Sequence, residues 1–175
     1  GGGVGCAIAM PVAEEFKKLG ANVTSIIGFR NKDLVILEEE FRKISDKLTV
    51  MTDDGSYATK GNVTQPLKEY LENGEKFDMI IAIGPVIMMK FVVETAKPYG
   101  TPVTVSMNPI MIDGTGMCGG CRLTLNQDGK KVTKFACVDG PDFNGYEVDF
   151  DEAMSRGRMY SDFEHHAYEK TCNLF

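Results

Sequence analysis

The chain has 175 residues, 43% hydrophobic and 25% charged, which is too apolar for a disordered segment and enough for one large domain or two small ones. A net charge of −6 and the lack of any extended basic stripe argue against nucleic acid as a partner. The longest apolar run, Met79 to Met89, is broken by Gly84-Pro85 and is about half the ~20 residues of a bilayer span; with no cationic start before an apolar core, no membrane association and a cytoplasmic setting are expected.

The first 107 residues alternate between helical and strand periodicity. A glycine-rich opening, Gly1-Gly2-Gly3-Val4-Gly5, leads to a helix predicted over Pro11 to Leu19, with Val12, Phe16 and Leu19 on one side and Gly20 at its C-terminal cap. Val23 to Phe29 reads as a β-branched strand, and Asp33 is placed to cap a second helix reaching about Lys43. Leu48 to Met51 reads as a short strand closed by Thr52-Asp53-Asp54-Gly55-Ser56, and Gln65 to Glu72 as a helix stopped by Asn73-Gly74. Asp78 to Ile83 is a continuous apolar strand, Gly84-Pro85 opens a helix over Val86 to Ala96, and Pro102 to Met107 is one more strand. Strand, helix, strand, helix is the pattern of a parallel sheet covered on both faces. A glycine loop of this kind follows a central strand. No residue of the sequence precedes Gly1, so the expectation is a fragment whose upstream segment would supply the middle strand.

The character changes at about Asn108. Arg122 to Leu125 and Lys131 to Cys137 form two extended arms around Asn126-Gln127-Asp128-Gly129-Lys130, and Asp-Gly between such arms signals a hairpin. A helix is expected from about Phe150 to Met159, and Ser161 to Phe175 carries no assignable pattern. The expected organisation is an α/β domain over 1–107, then a small hairpin-containing domain and tail over 108–175.

Five cysteines, an odd number with three inside twenty residues, do not resemble a disulfide framework. Cys6 and Cys172 read as bystanders. The informative segment is Asp113, then Cys118, Cys121 and Cys137, with spacing D-x₄-C-x₂-C-x₁₅-C. Plant-type [2Fe–2S] ferredoxins use C-x₄-C-x₂-C and a distant fourth cysteine. The spacing matches if Asp113 stands for the first; a carboxylate is anionic like a thiolate and is a harder donor. Gly114, Gly116, Gly119 and Gly120 let such a loop wrap closely. A zinc site or a reactive dithiol at Cys118 and Cys121 fits less of the pattern. His165-His166 reads as an ordinary polar pair, because adjacent helical residues point in different directions.

Gly1 to Gly5 before a helix can hold a pyrophosphate. The strict G-x-G-x-x-G pattern fails: Cys6 holds the last position counted from Gly1, and Ile8 counted from Gly3. Asp53, Asp54, Gly55 and Ser56 stand at a strand's C-terminal end, where their carboxylates could accept from ribose hydroxyls or merely cap a turn. Gly84-Pro85 opens a helix at another strand end and could border a nicotinamide; Met88 and Met89 read as core.

Taken in order, the glycine turn, the Asp53–Ser56 loop, Gly84-Pro85 with Met88-Met89 and the cysteine motif resemble the ferredoxin–NADP reductase superfamily. The resemblance is to the branch with a C-terminal [2Fe–2S] domain, which holds the electron-transfer subunit of dihydroorotate dehydrogenase and the small subunit of the bifurcating NADH-dependent ferredoxin:NADP oxidoreductase. It covers the chain to about Tyr160. It implies a Rossmann-like sheet of the ferredoxin reductase type, NAD(H) or NADP(H) along the strand ends, FAD on a domain outside this sequence, and a [2Fe–2S] cluster on Asp113, Cys118, Cys121 and Cys137. Arg30 could pair with a 2′-phosphate. No side chain need act as acid or base. The implied partner is a larger glutamate-synthase-like flavoprotein subunit, with ferredoxin as a further acceptor. The alternatives are a dihydroorotate dehydrogenase catalytic subunit as partner, or a redox- or NADH-sensing module without enzymatic activity. One aspartate with three cysteines resembles the bifurcating enzymes; four cysteines are usual in the dihydroorotate-linked subunits.

Overall fold

The computed structural model describes residues 1–172, with side chains described through residue 168. Helix α1 (Gly5–Lys18) begins well before Pro11, which lies inside it. Proline removes one helical hydrogen bond, but the first turns are held from outside by the packing of Gly5 against the sheet. Strand β1 (Thr24–Phe29) alternates half-buried and buried side chains. Asp33 falls in a 3₁₀ turn over Lys32–Leu34 and caps no helix. Helix α2 (Glu38–Ile44) starts only after Leu37, which adopts a left-handed conformation at φ 58°. The intervening Val35 and Leu37 pack onto the core with Phe41 instead of extending the helix towards Asp33.

Strand β2 (Lys47–Thr52) runs parallel to β1, with Thr24 opposite Lys47 and Phe29 opposite Thr52. A two-residue strand, β3 (Thr59–Lys60), which the sequence does not announce, adds to the outside of β2. Helix α3 (Thr64–Glu72), strand β4 (Ile80–Ile83), helix α4 (Val86–Ala96) and strand β5 (Val103–Ser106) follow, with β4 and β5 parallel.

The next segment forms the hairpin of β6 (Arg122–Gln127) and β7 (Lys130–Phe135), antiparallel throughout. Its two-residue turn has positive φ at Asp128 (50°) and Gly129 (74°), as a tight right-twisted hairpin requires. A single turn, α5 (Ala136–Asp139), follows, so Cys137 stands on a helical turn and not on the expected strand arm. Strand β8 (Asp142–Asn144) then returns to pair antiparallel with β5, Phe143 opposite Val105. Helix α6 (Phe150–Gly157) is capped by the Asp149 carboxylate, which accepts the Glu152 N–H at 3.0 Å. Helix α7 (Ser161–Cys172) occupies the described part of the stretch without a sequence assignment, and residues 173–175 lie outside the described residues.

Gly1 to Gly3 lie between β1 and β4. The Gly1 amine donates to the Ile26 carbonyl at 2.8 Å, and Gly28 N–H donates to the Gly1 carbonyl at 3.0 Å. On the other side Gly2 N–H reaches the Ile83 carbonyl at 2.9 Å. These three residues link the three-stranded sheet β1–β2–β3 to the three-stranded sheet β4–β5–β8.

The larger core joins Leu67, Val92 and Val105 to Leu123, Leu125 and Phe150, so the hairpin packs into the same apolar mass as α3, α4 and β5. A smaller cluster of Cys6, Ile27, Phe29, Phe41 and Val50 lies under α1 and α2. Among the described residues no helix is long and apolar enough to cross a membrane.

Candidate functional site

The nucleotide-directed residues stand at the C-terminal ends of the parallel strands, where open α/β sheets bind ligands. Gly3 has φ +52° and turns the chain from the sheet into α1, with Gly3 N–H bonded to the Gly28 carbonyl at 2.8 Å. Val4, 80% exposed, projects from the turn at the start of the helix. Gly2 and Gly84 approach so closely that a Cβ on Gly84 would lie 3.0 Å from Gly2 backbone atoms, and one on Gly2 would meet the Met88 sulfur and Pro85. Gly5 has a different reason to be glycine. A Cβ there would stand 2.5 Å from the Ile83 carbonyl oxygen and 2.8 Å from Gly84 Cα, so it sets how near α1 can come to β4.

Arg30 is exposed just beyond β1. The Asp53–Ser56 loop folds back beside it: Asp53 N–H donates to the Phe29 carbonyl at 3.0 Å, Asp54 N–H to the Arg30 carbonyl at 3.3 Å, and Lys32 N–H to Ser56 Oγ at 2.8 Å. Asp54 accepts the Ser56 N–H at 2.9 Å, and that bond holds its carboxyl below the ordinary carboxylate value. The Asp54 carboxylate is therefore partly committed to its own turn. Beside it, Asn31 Oδ1 is buried without a hydrogen-bond partner among the described residues. Arg30, Asp53, Asp54, Gly55 and Ser56 thus form one neighbourhood at the ends of β1 and β2. Gly1 to Gly5 with Gly84-Pro85 form another at the end of β4.

The cysteine loop divides its donors into two pairs. Asp113 accepts the Thr115 N–H at 2.8 Å and the Cys118 N–H at 3.0 Å, which ties the carboxylate to Cys118; the Thr115 bond contributes most to lowering its pKa. Cys118 is exposed, and its sulfur accepts the Gly120 N–H at 3.4 Å. Cys121, buried at the start of β6, and Cys137, on α5, are brought together by the hairpin, and the Ala136 N–H reaches the Cys121 carbonyl at 3.1 Å. The Cys137 N–H points at the Cys121 sulfur and pulls that thiol down, while hydrogen bonding from Cys121 pushes the Cys137 thiol up. Gly116 and Gly119 have positive φ, and a Cβ at Gly116 would press on Val138 at 3.2 Å.

Among the described residues no three His, Cys, Asp or Glu side chains gather around one point. A [2Fe–2S] cluster spreads four protein donors over two iron atoms, and two separate pairs fit that demand.

Sequence reasoning missed the apolar surface around this loop. Ile110, Ile112, Met117 and Val138 are all exposed, Met117 at 89%. The run Ile110-Met111-Ile112 in a loop was its available signal. Cys6 is buried beside Gly1, away from the loop, and burial pushes its thiol up. His165 and His166 sit on the exposed face of α7, and the Cys172 side chain lies outside the described residues.

A parallel sheet with a glycine turn at its ligand-binding edge, carrying a cysteine loop beyond its last parallel strand, defines a ferredoxin reductase-like fold with an iron–sulfur binding domain. The profile of the iron–sulfur cluster binding domain of dihydroorotate dehydrogenase B matches residues 108–149. The chain is 49% identical over 170 residues to the dihydroorotate dehydrogenase B (NAD(+)) electron transfer subunit homolog of Thermotoga maritima, covering 97% of this chain and 58% of that protein. It is 44% identical over 149 residues to the probable dihydroorotate dehydrogenase B (NAD(+)) electron transfer subunit of Methanocaldococcus jannaschii, covering 85% and 55%. It also superposes on a chain of the flavin-bifurcating NADH-dependent reduced ferredoxin-NADP oxidoreductase with a TM-score of 0.83 and 45% identity, over 98% of this chain and 60% of that one. The chain is a homologue of these oxidoreductase electron-transfer subunits, and it spans a little over half the length of the curated relatives it matches.

Proposed function

We propose that this chain is the nucleotide-binding and iron–sulfur part of an electron-transfer subunit that passes electrons between NAD(P)H, FAD and a [2Fe–2S] cluster towards a larger glutamate-synthase-like flavoprotein subunit. The observation that carries the reading is the division of four donors into two pairs in a glycine-rich loop. Asp113 and Cys118 would hold one iron, Cys121 and Cys137 the other. Flavin and cluster together supply the exchange of an electron pair for single electrons.

The residues at the strand ends bind and orient. The glycine turn and the start of α1 offer N–H groups to a pyrophosphate. Asp53, Asp54 and Ser56 face the ribose. Gly84-Pro85 borders the nicotinamide, and Arg30 stands where a 2′-phosphate would be met. None of them moves a proton; they hold the nucleotide and keep the reacting ring in place. FAD belongs to the portion of the relatives that this sequence does not span. The exposed apolar collar of Ile112, Met117 and Val138 supports the docking of a partner over the cluster loop. Free thiols suit a reducing compartment such as the cytoplasm.

A dihydroorotate dehydrogenase catalytic subunit is the second partner reading, favoured by the profile match over residues 108–149. Asp113 in the first ligand position and the likeness to the bifurcating enzyme favour the first reading.

Anaerobic purification tests the proposal. The expected product is red-brown with about two iron and two sulfide per chain. Cys121→Ala should lose the colour and Asp113→Cys should keep it with a shifted potential. A colourless protein with stoichiometric zinc would reject the reading.

A further inference from the structure

Cys118 and Cys121 are the near neighbours in the sequence, but the fold gives their sulfurs different surroundings. Cys118 is exposed, and its sulfur accepts the Gly120 N–H at 3.4 Å. Gly119 holds the turn between them with φ +66°. Cys121 is only 2% exposed, just before β6. Among the described residues no third donor gathers with Cys121 and Cys137.

The hairpin register brings Cys121 and Cys137 together. Arg122 stands opposite Phe135, so the next position outward sets Cys121 beside Ala136, and the Ala136 N–H reaches the Cys121 carbonyl at 3.1 Å. Cys137 follows on the turn of α5, which brings its N–H to the Cys121 sulfur and the two side chains into hydrogen-bonding contact. Residues paired across an antiparallel ladder have Cα atoms about 4.5–5.5 Å apart, and a disulfide asks for about 4.4–6.8 Å. Closing a bond here costs little chain entropy, because six cross-strand pairs already hold the ends of the loop together. A bond between Cys118 and Cys121 would first give up the Gly120 N–H contact and carry an exposed sulfur to a buried one.

We propose that Cys121 and Cys137 form a reversible dithiol–disulfide pair, and that their disulfide closes the loop to metal until a thiol reopens it. The oxidant is a low-molecular-weight disulfide. Cys137, half-buried and the more accessible of the two, attacks it as a thiolate; the small disulfide breaks, Cys137 becomes a mixed disulfide, and one small thiol leaves with the proton. The Cys121 sulfur then attacks the Cys137 sulfur. The bond to the small thiol breaks, the protein disulfide forms, and the second small thiol leaves with the Cys121 proton. Two electrons pass from the pair to the oxidant, and a thiol reductant returns them by the same steps. Metals bind the thiolate, so the disulfide withdraws both sulfurs while Asp113 and Cys118 keep their donors. Disulfides of reducing compartments are transient and redox-sensing. The consequence for iron rests on the cluster reading above; the pairing of the two thiols does not.

The test strips metal from the full chain with a chelator under reducing conditions, adds glutathione disulfide without oxygen, blocks the remaining thiols and maps the cysteine peptides by mass spectrometry. The expected product links Cys121 to Cys137, in the parent and equally in Cys118→Ser. A link between Cys118 and Cys121, or Cys121 and Cys137 left unlinked, overturns the proposal. Cobalt(II) alone then probes the loop. Its thiolate charge-transfer absorbance should fall to about a third in the linked chain, because one thiol of three remains, and should recover after reduction and desalting. Equal absorbance in linked and reduced chains overturns the closure. A chain that forms the link but is colourless when purified anaerobically supports the pairing and overturns the cluster reading instead.

Discussion

Gly5→Ala separates two effects of opposite sign. Gly5 opens α1 with an ordinary helical backbone, so alanine by itself should stabilise the helix by about 0.5–1 kcal/mol. The added Cβ, however, would lie 2.5 Å from the Ile83 carbonyl oxygen, about 0.9 Å inside ordinary van der Waals contact. The obstructing atoms are backbone of β4 and Gly84, so no side chain can swing aside, and α1 must lift from the sheet. Overpacking of this kind costs about 3 kcal/mol at the upper end of its usual range. The net expectation is a loss of about 2 kcal/mol, or a thermal midpoint lowered by roughly 4–8 °C in a chain of this size. Circular dichroism melting of the parent, Gly5→Ala and Gly157→Ala reads it. Gly157, at the end of α6 with nothing near its would-be Cβ, should give a small gain of about 0.5 kcal/mol. If Gly5→Ala melts above the parent, the close approach of α1 to β4 is refuted.

Asp149→Ala removes the cap of α6 and the 2.8 Å ion pair with Lys131, and should cost about 1–2 kcal/mol near neutral pH, measured by urea unfolding. The Lys131 ammonium, then the Glu152 N–H, hold the folded Asp149 pKa below its ordinary value, so its stabilisation is present above the unfolded value of 3.8 and is lost as pH falls through the lower folded value. The gap between parent and variant should therefore close in acid. Lys90→Ala breaks an ion pair to Asp151, whose side chain is 82% exposed, and should change the urea midpoint by no more than about 0.5 kcal/mol of stability. Met117→Glu should leave the melting curve within about 0.5 kcal/mol of the parent while slowing electron delivery to the proposed partner subunit in a stopped-flow assay of the full-length subunit; equal rates would remove the apolar collar from the proposed docking surface.

Elements whose own periodicity decides them were readable from the sequence. α4 runs from Val86 to Ala96 as expected, because an apolar segment after Gly-Pro has few other ways to bury itself. The Asp128-Gly129 turn is likewise dictated by two residues that tolerate positive φ. Tertiary partners decided the rest. Asp33 has the chemistry of a cap, but burial of Val35 and Leu37 moves the helix start to Glu38. The two residues of β3 and three of β8 carry too little pattern to announce themselves, and only neighbouring strands make them strands. α1 extends six residues N-terminal to the expected Pro11 because packing at Gly5 holds its opening turns. In the candidate site, spacing proposed four donors, but which of them lie beside one another depends on the hairpin carrying Cys137 back to Cys121 and on the Asp113 bonds across its own loop. The reason for Gly5 was illegible, since a glycine in a glycine-rich turn looks like part of the phosphate cradle.

The return of β8 to β5 bears on how the cysteine loop can move. Chain leaves the sheet at the end of β5 and, after hairpin and loop, comes back onto that same strand through Thr104–Asn144 and Ser106–Asp142. Departure and arrival on one strand fasten both feet of the excursion to a single beam. A pendulum-like carrier, ferrying charge by swinging between distant docks, would have to unzip this seam on every stroke. For the function proposed above, the architecture instead suits stationary wiring, in which the spacing between stations is built in and only the electrons travel.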